Sequence, residues 1–93
     1  MKYIVFQRKL GSDMHQEIPV LFPECLTHSE FAKAVTAEGS ELHGAVVVSA
    51  GFVSSMCLSA QCHGESTSLG IGSRGKKDDL LIQSMDYFHG VVG

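Results

Sequence analysis

The sequence predicts an α+β fold. It is read as a single domain (residues 1–93) with about five mainly antiparallel strands and two helices packed on one face, in the order β-β-α-β-β-β-α. Three observations lead there. Apolar segments of strand length, alternating or continuous, occupy much of the chain. One helix start carries a capping box, Thr27 followed three residues later by Glu30. A second helical stripe follows a glycine-rich connector at residues 70–75. With 93 residues, 44% of them hydrophobic, there is material for one modest core and not for two.

Residues 2–10 alternate, with Tyr3, Val5 and Gln7 on one face and Ile4, Phe6 and Arg8 on the other. Gly11-Ser12-Asp13 is turn chemistry. Residues 17–22 form the returning strand, with Ile18, Val20 and Phe22 on a common face. Pro19 has no N–H for a ladder, which assigns this strand to a sheet edge or a bulge. The capping box opens a helix over residues 28–37 with Phe31, Ala34 and Val35 inward, and Gly39 is placed to close it in the left-handed conformation.

The run Ala45-Val46-Val47-Val48 opens a central strand over residues 45–53, covered on both faces. Gly51 within it marks a bulge or a close backbone approach. Residues 56–62 and 66–71 alternate as two further strands. The last helix is expected over residues 78–89, with Asp78 and Asp79 at its positive end and Gly90 closing it. The expected core is Ile4, Phe6, Ile18, Val20, Phe31, Val35, Val46, Val48, Leu58, Leu69, Leu81, Met85 and Phe88.

Bulk properties exclude several functions. A formal charge of −3 argues against general nucleic-acid binding, which needs a basic face to displace counterions. The apolar run Tyr3-Ile4-Val5-Phe6 is too short for a signal peptide, and no window approaches the ~20 apolar residues of a membrane span. Three cysteines do not form a disulfide framework. A cytoplasmic location without a membrane partner is expected.

Candidate sites follow from motif chemistry. Gly70, Gly72 and Gly75 satisfy G-x-G-x-x-G, and Lys76 completes most of a phosphate loop. Too few residues follow for a βαβ unit, Lys77 stands where a magnesium-binding hydroxyl belongs, and Asp78 and Asp79 would repel phosphate. What survives is anion contact through Arg74, Lys76 and Lys77, the alternative reading of a small anion- or nucleic-acid-contacting protein. Cys25, His28, Cys57, Cys62 and His63 are zinc-ligand types. Yet Cys57 and Cys62 differ by five and point to opposite faces of an unbroken strand. Whether the five meet stays open, and no metal or cofactor is assigned. No nucleophile elbow or acid–base pair stands out, so the chain is read as non-enzymatic.

Between Gly44 and Gly64 there is no formally charged residue. That gap, with the apolar C-terminal run, nominates Val46, Val48, Phe52, Leu58, Val91 and Val92 as an interface. The leading expectation is therefore a non-enzymatic interaction module that self-associates as a homo-oligomer or meets a protein partner.

The stretch Val46-Val47-Val48-Ser49-Ala50-Gly51-Phe52, with Gly64-Glu65-Ser66-Thr67-Ser68-Leu69-Gly70 and Ser73-Arg74 downstream and Ile18-Pro19-Val20-Leu21-Phe22-Pro23 upstream, carries a resemblance. It resembles small single-domain proteins of phages, prophages and proteobacteria. That family has no assigned chemistry, so no catalytic or binding residue transfers. The resemblance implies an accessory protein that acts in a host cell by contact.

Overall fold

In the computed structural model, which describes residues 1–56 and 59–84, the chain runs β1 (Lys2–Lys9), β2 (His15–Phe22), α1 (His28–Thr36), β3 (Val46–Met56), β4 (Ser59–His63), β5 (Glu65–Ser66), β6 (Ile71–Gly72) and α2 (Lys76–Gln83). β1 organises the molecule. It lies between β2 and β3 in an antiparallel sheet of order β2-β1-β3-β4. Four consecutive side chains, Tyr3, Ile4, Val5 and Phe6, are fully buried. Burying a side chain of this kind contributes about 1.5–3 kcal/mol, so both phases of the strand must be covered.

They are covered by different helices. Tyr3 and Val5 pack with Val53, Ala60 and Ile82 beneath α2, whereas Ile4 and Phe6 pack with Phe22, Ala32 and Ala50 beneath α1. The α+β class and the order of elements agree with the sequence reading, but the two helices lie on opposite faces of the sheet, not on one. The reason is visible in β1, where an apolar run without alternation leaves two hydrophobic faces to shield.

Pro19 does lie on an edge strand, opposite Val5. The Leu10 amide donates to the Met14 carbonyl at 2.9 Å. That parity, carried along the ladder, makes Ile4–Val20 a bonded pair and turns the Pro19 nitrogen outward, where no ladder bond is lost. Gly51 is a close approach: a Cβ there would sit 2.6 Å from the His63 carbonyl oxygen. The irregularity in β3 lies elsewhere, where its pairing with β1 shifts between Val5 and Phe6. Beyond this shift Val46 stands opposite Gln7 at the end of the sheet, 57% exposed, and is not the core residue expected.

The strand expected over residues 66–71 is instead a hairpin, β5 and β6, joined by a turn at residues 67–70. Gly70 takes a φ of 68° at its end, a conformation that favours glycine. α1 starts on the complete capping box of Thr27 and Glu30. Its C-cap Ala37 is extended, and the left-handed Gly39 follows two residues on. α2 begins two residues earlier than expected and its C-cap is Ser84. Its expected extension to residue 89, with Met85, Phe88 and Gly90, lies outside the described residues, as does Leu58.

Candidate functional site

The densest polar cluster lies between α2 and the sheet. Gly75 opens α2 without a side-chain cap, and Asp78 in its first turn points into the protein with 0% exposure. Its Oδ1 accepts from Ser49 Oγ at 3.0 Å and Arg74 Nε at 2.8 Å. Its Oδ2 accepts from the Tyr3 hydroxyl at 2.5 Å and the Arg74 amide at 2.9 Å. The phenol proton being committed to Asp78, the Tyr3 oxygen accepts from Ser73 Oγ at 2.8 Å. Arg74 then extends the cluster outward by a two-pronged pair with Glu17, at 3.0 and 3.1 Å.

The electrostatics follow from this geometry. Burial pushes the Asp78 carboxyl up, but the donors from Tyr3, Arg74 and Ser49 outweigh it and hold the group below its ordinary value. Hydrogen bonding to Arg74 holds Glu17 below its ordinary value, and the Arg74 guanidinium rises through its bond to Glu17. The Tyr3 phenol is raised by burial and then by the adjoining carboxylate. Four donors occupy the two oxygens of Asp78, so the cluster has the saturated geometry of a structural pin and offers no open acceptor for proton transfer.

α2 also closes one edge of the sheet. Val53 exchanges its polar backbone groups with Met1, so its partner Cys62 directs its own amide away from β3. Asp79 Oδ1 accepts that amide at 2.6 Å, and Gln83 Nε2 donates to the Ala60 carbonyl of the same edge at 3.3 Å. These two residues are one helical turn apart, so a single face of α2 satisfies both groups. Burial, followed by the bond to Asp79, pushes the Cys62 thiol up to about 12, which makes it a neutral packing group and not a nucleophile.

The α1 face carries an aromatic array and an open groove. His28 is 4% exposed, and its Nε2–H donates to the Gly51 carbonyl at 2.9 Å. Phe52 meets the His28 ring edge-on at 5.7 Å and stacks with His63 at 6.1 Å. A cavity of about 180 Å³ adjoins His28 and Phe52 at the start of α1. Between α1 and the edge strand β2 lies a groove of about 410 Å³ lined by Val20, Ala34, Val35, Ser40, Glu41 and Leu42. Ala34, expected to point inward, is exposed at this groove.

The sequence candidates fall as follows. Arg74 has its guanidinium engaged at Nε by Asp78 and at both terminal nitrogens by Glu17, while Lys76 and Lys77 are exposed in the first turn of α2. His28 packs on the α1 face and Cys62 on the α2 face, so the sheet separates these two zinc-ligand types. Cys25 is exposed, and Cys57 lies outside the described residues. Among the described residues, no three acidic, His or Cys side chains converge as metal ligands. Of the interface candidates, Val46 is exposed, Val48 packs against the core beneath α2, and Phe52 is half-buried between the two histidines. Leu58, Val91 and Val92 lie outside the described residues. The sequence reading missed the Asp78 cluster, because an acid in a first helical turn reads as a solvated partner of the helix dipole. It also missed the α1–β2 groove.

No family model, no curated protein and no solved structure matches the chain. Among the described residues no helix is long and apolar enough to cross a membrane.

Proposed function

We propose that the protein is a non-enzymatic interaction module that self-associates through the groove between α1 and β2. The observation that carries this reading is the composition of that groove. Val20, Ala34, Val35 and Leu42 form its wall, and Glu41 is the one charged residue lining it. An apolar concavity beside an unpaired sheet edge is a surface on which a second chain can bury side chains.

The other edge, β4, is already engaged by Asp79 and Gln83, which leaves β2 as the side on which a second copy fits. Pro19 removes an outward N–H from β2, so the two copies meet by side-chain packing across a two-fold axis, groove against groove, and not by extending the ladder. On the resemblance to phage and prophage proteins, such contacts would serve an accessory role inside a host cell. The anion-contact alternative is weakened by the engagement of Arg74, which leaves Lys76 and Lys77 of that segment.

The test is sedimentation equilibrium over a range of concentrations. The wild type is expected to approach twice the 10.0 kDa monomer mass. Ala34→Glu, an exposed helical position where a charge does not disturb the core, is expected to weaken association about tenfold or more, because like charges meet across the axis. A wild type that stays at 10.0 kDa throughout, or a variant that associates as well as the wild type, would overturn the proposal.

A further inference from the structure

At the end of the sheet beside the β1–β2 hairpin there is a second concavity, of about 260 Å³, lined by Gln7, Arg8, Lys9, His15, Gly44 and Val46. In a chain of net charge −3, its lining draws on Arg8, Lys9 and His15 and on no acidic residue. We propose that this concavity is a binding site for a small organic anion, a phosphate or carboxylate group carried on an apolar body.

Strand register concentrates the charge. Lys9 and His15 are direct cross-strand partners, so their side chains project from the same face of the β1–β2 ladder. Directly opposed side chains have Cβ atoms about 4.5–5.5 Å apart, so the Lys9 ammonium and the His15 imidazole can both donate to one anion placed between them. The protein does not supply one. Glu17, the next acid on this face and the partner of Gln7, holds both carboxylate oxygens on Arg74. Asp13 in the hairpin loop is exposed and forms no ion pair among the described residues. Arg8 also lines the concavity, but its side chain projects from the opposite face of β1, where its Nε donates to Gln16 Oε1 at 2.9 Å, so Lys9 and His15 are the donors on this face.

The rest of the lining defines the body of the ligand. Val46 exposes an apolar side chain that the β3 irregularity has carried past the end of the core. Gln7 offers an amide opposite it. Gly44, with φ +83° and nothing within 4 Å of a built Cβ, leaves the rim open. The concavity falls just below the ~300 Å³ at which pockets for larger organic ligands begin, so an anion on one small ring or short chain fits, and a polymer does not enter. This site shares no residue with the α1–β2 groove, so it stands or falls separately from self-association.

The test is an amide chemical-shift titration of the ¹⁵N-labelled protein at low salt with inorganic phosphate, phenyl phosphate and benzoate. The expected result is saturable shifts at Gln7, Lys9, His15, Gly44 and Val46, with phenyl phosphate binding more tightly than inorganic phosphate. Benzoate against phenyl phosphate separates carboxylate from phosphate preference. Lys9→Gln with His15→Gln is expected to weaken binding about tenfold or more, since the charge-assisted contact of Lys9 and the imidazole donor of His15 are both lost. Both positions are exposed, and an unchanged melting curve confirms that the variant folds. Val46→Ser is expected to remove the advantage of the ring, while Lys76→Gln with Lys77→Gln leaves all affinities unchanged. Shifts centred on α2, failure to saturate, an unaltered affinity in the Lys9/His15 variant, or binding of a single-stranded oligonucleotide in place of the small anions would each overturn the proposal.

Discussion

Asp78 shows how much of this structure is settled by one side chain. A carboxylate without exposure is costly unless its lone pairs are filled, and here four donors from Tyr3, Ser49 and Arg74 fill them. The partners come from the first strand, the third strand and the connector before α2, so the group ties three distant segments together. None of this is legible locally, because an Asp in a first helical turn looks the same in sequence whether it faces water or Tyr3. The fold supplies the partner 75 positions away. Asp78→Asn replaces an acceptor with an amide that must turn a donor toward donors, and removing one partner of a buried pair costs about 3–5 kcal/mol. Because Arg74 retains Glu17, the lower end of that range is expected in urea unfolding. Tyr3→Phe, which removes the bond to the Asp78 carboxylate and takes the acceptor from Ser73 Oγ, is expected to cost at least about 1.5–3 kcal/mol. A loss below about 1 kcal/mol in Asp78→Asn would show that the cluster does not pin α2.

At the scale of elements, the features readable from sequence are those whose cause is local. The capping box needs Thr27 and Glu30 alone, and α1 begins where they place it. Pro19 excludes its strand from a sheet interior by what its nitrogen lacks, and β2 is an edge. Gly51 was legible as a backbone contact, although the partner, the His63 carbonyl, was not. What was not read correctly depends on how elements are distributed in space. Two helices of modest amphipathicity do not declare their faces, but Tyr3-Ile4-Val5-Phe6, apolar in both phases, demands cover on each side of β1. The edge residue also makes a prediction. Pro19→Thr restores an outward N–H between those of Glu17 and Leu21 and completes a hydrogen-bonding row on β2. The variant is expected to form larger, dye-binding β assemblies at concentrations where the wild type does not, with little change in melting temperature. Equal behaviour of the two proteins in thioflavin fluorescence and light scattering would mean that Pro19 does not guard this edge.

For the whole molecule, buried and half-buried titratable groups set a pH window for stability. Asp78 and Glu17 are held below their ordinary values when folded, so the folded state binds their protons less tightly than the unfolded state does. Their stabilising contribution is complete above the unfolded values, about 3.9 for Asp and 4.3 for Glu, and is lost as pH falls through the folded ones. Cys62 and Tyr3 act in the opposite sense. Both are raised in the folded state, Cys62 to about 12, so their contribution is complete below the unfolded values. Those lie at about 8.5 for a thiol and 10 for a phenol, and the contribution is lost as pH climbs through the folded values. Urea-unfolding stability is therefore expected to be level between about pH 5.5 and 8 and to fall on either side. Each limb can be assigned. Cys62→Ala deletes the thiol that the fold holds raised, so the alkaline decline is expected to begin near pH 10, where Tyr3 takes over, instead of near pH 8.5. Glu17→Gln shallows the acid limb while leaving the alkaline limb in place. If the alkaline onset of Cys62→Ala coincides with that of the wild type, the thiol beside Asp79 does not set that limit, and the edge contact between α2 and β4 does not couple to proton binding.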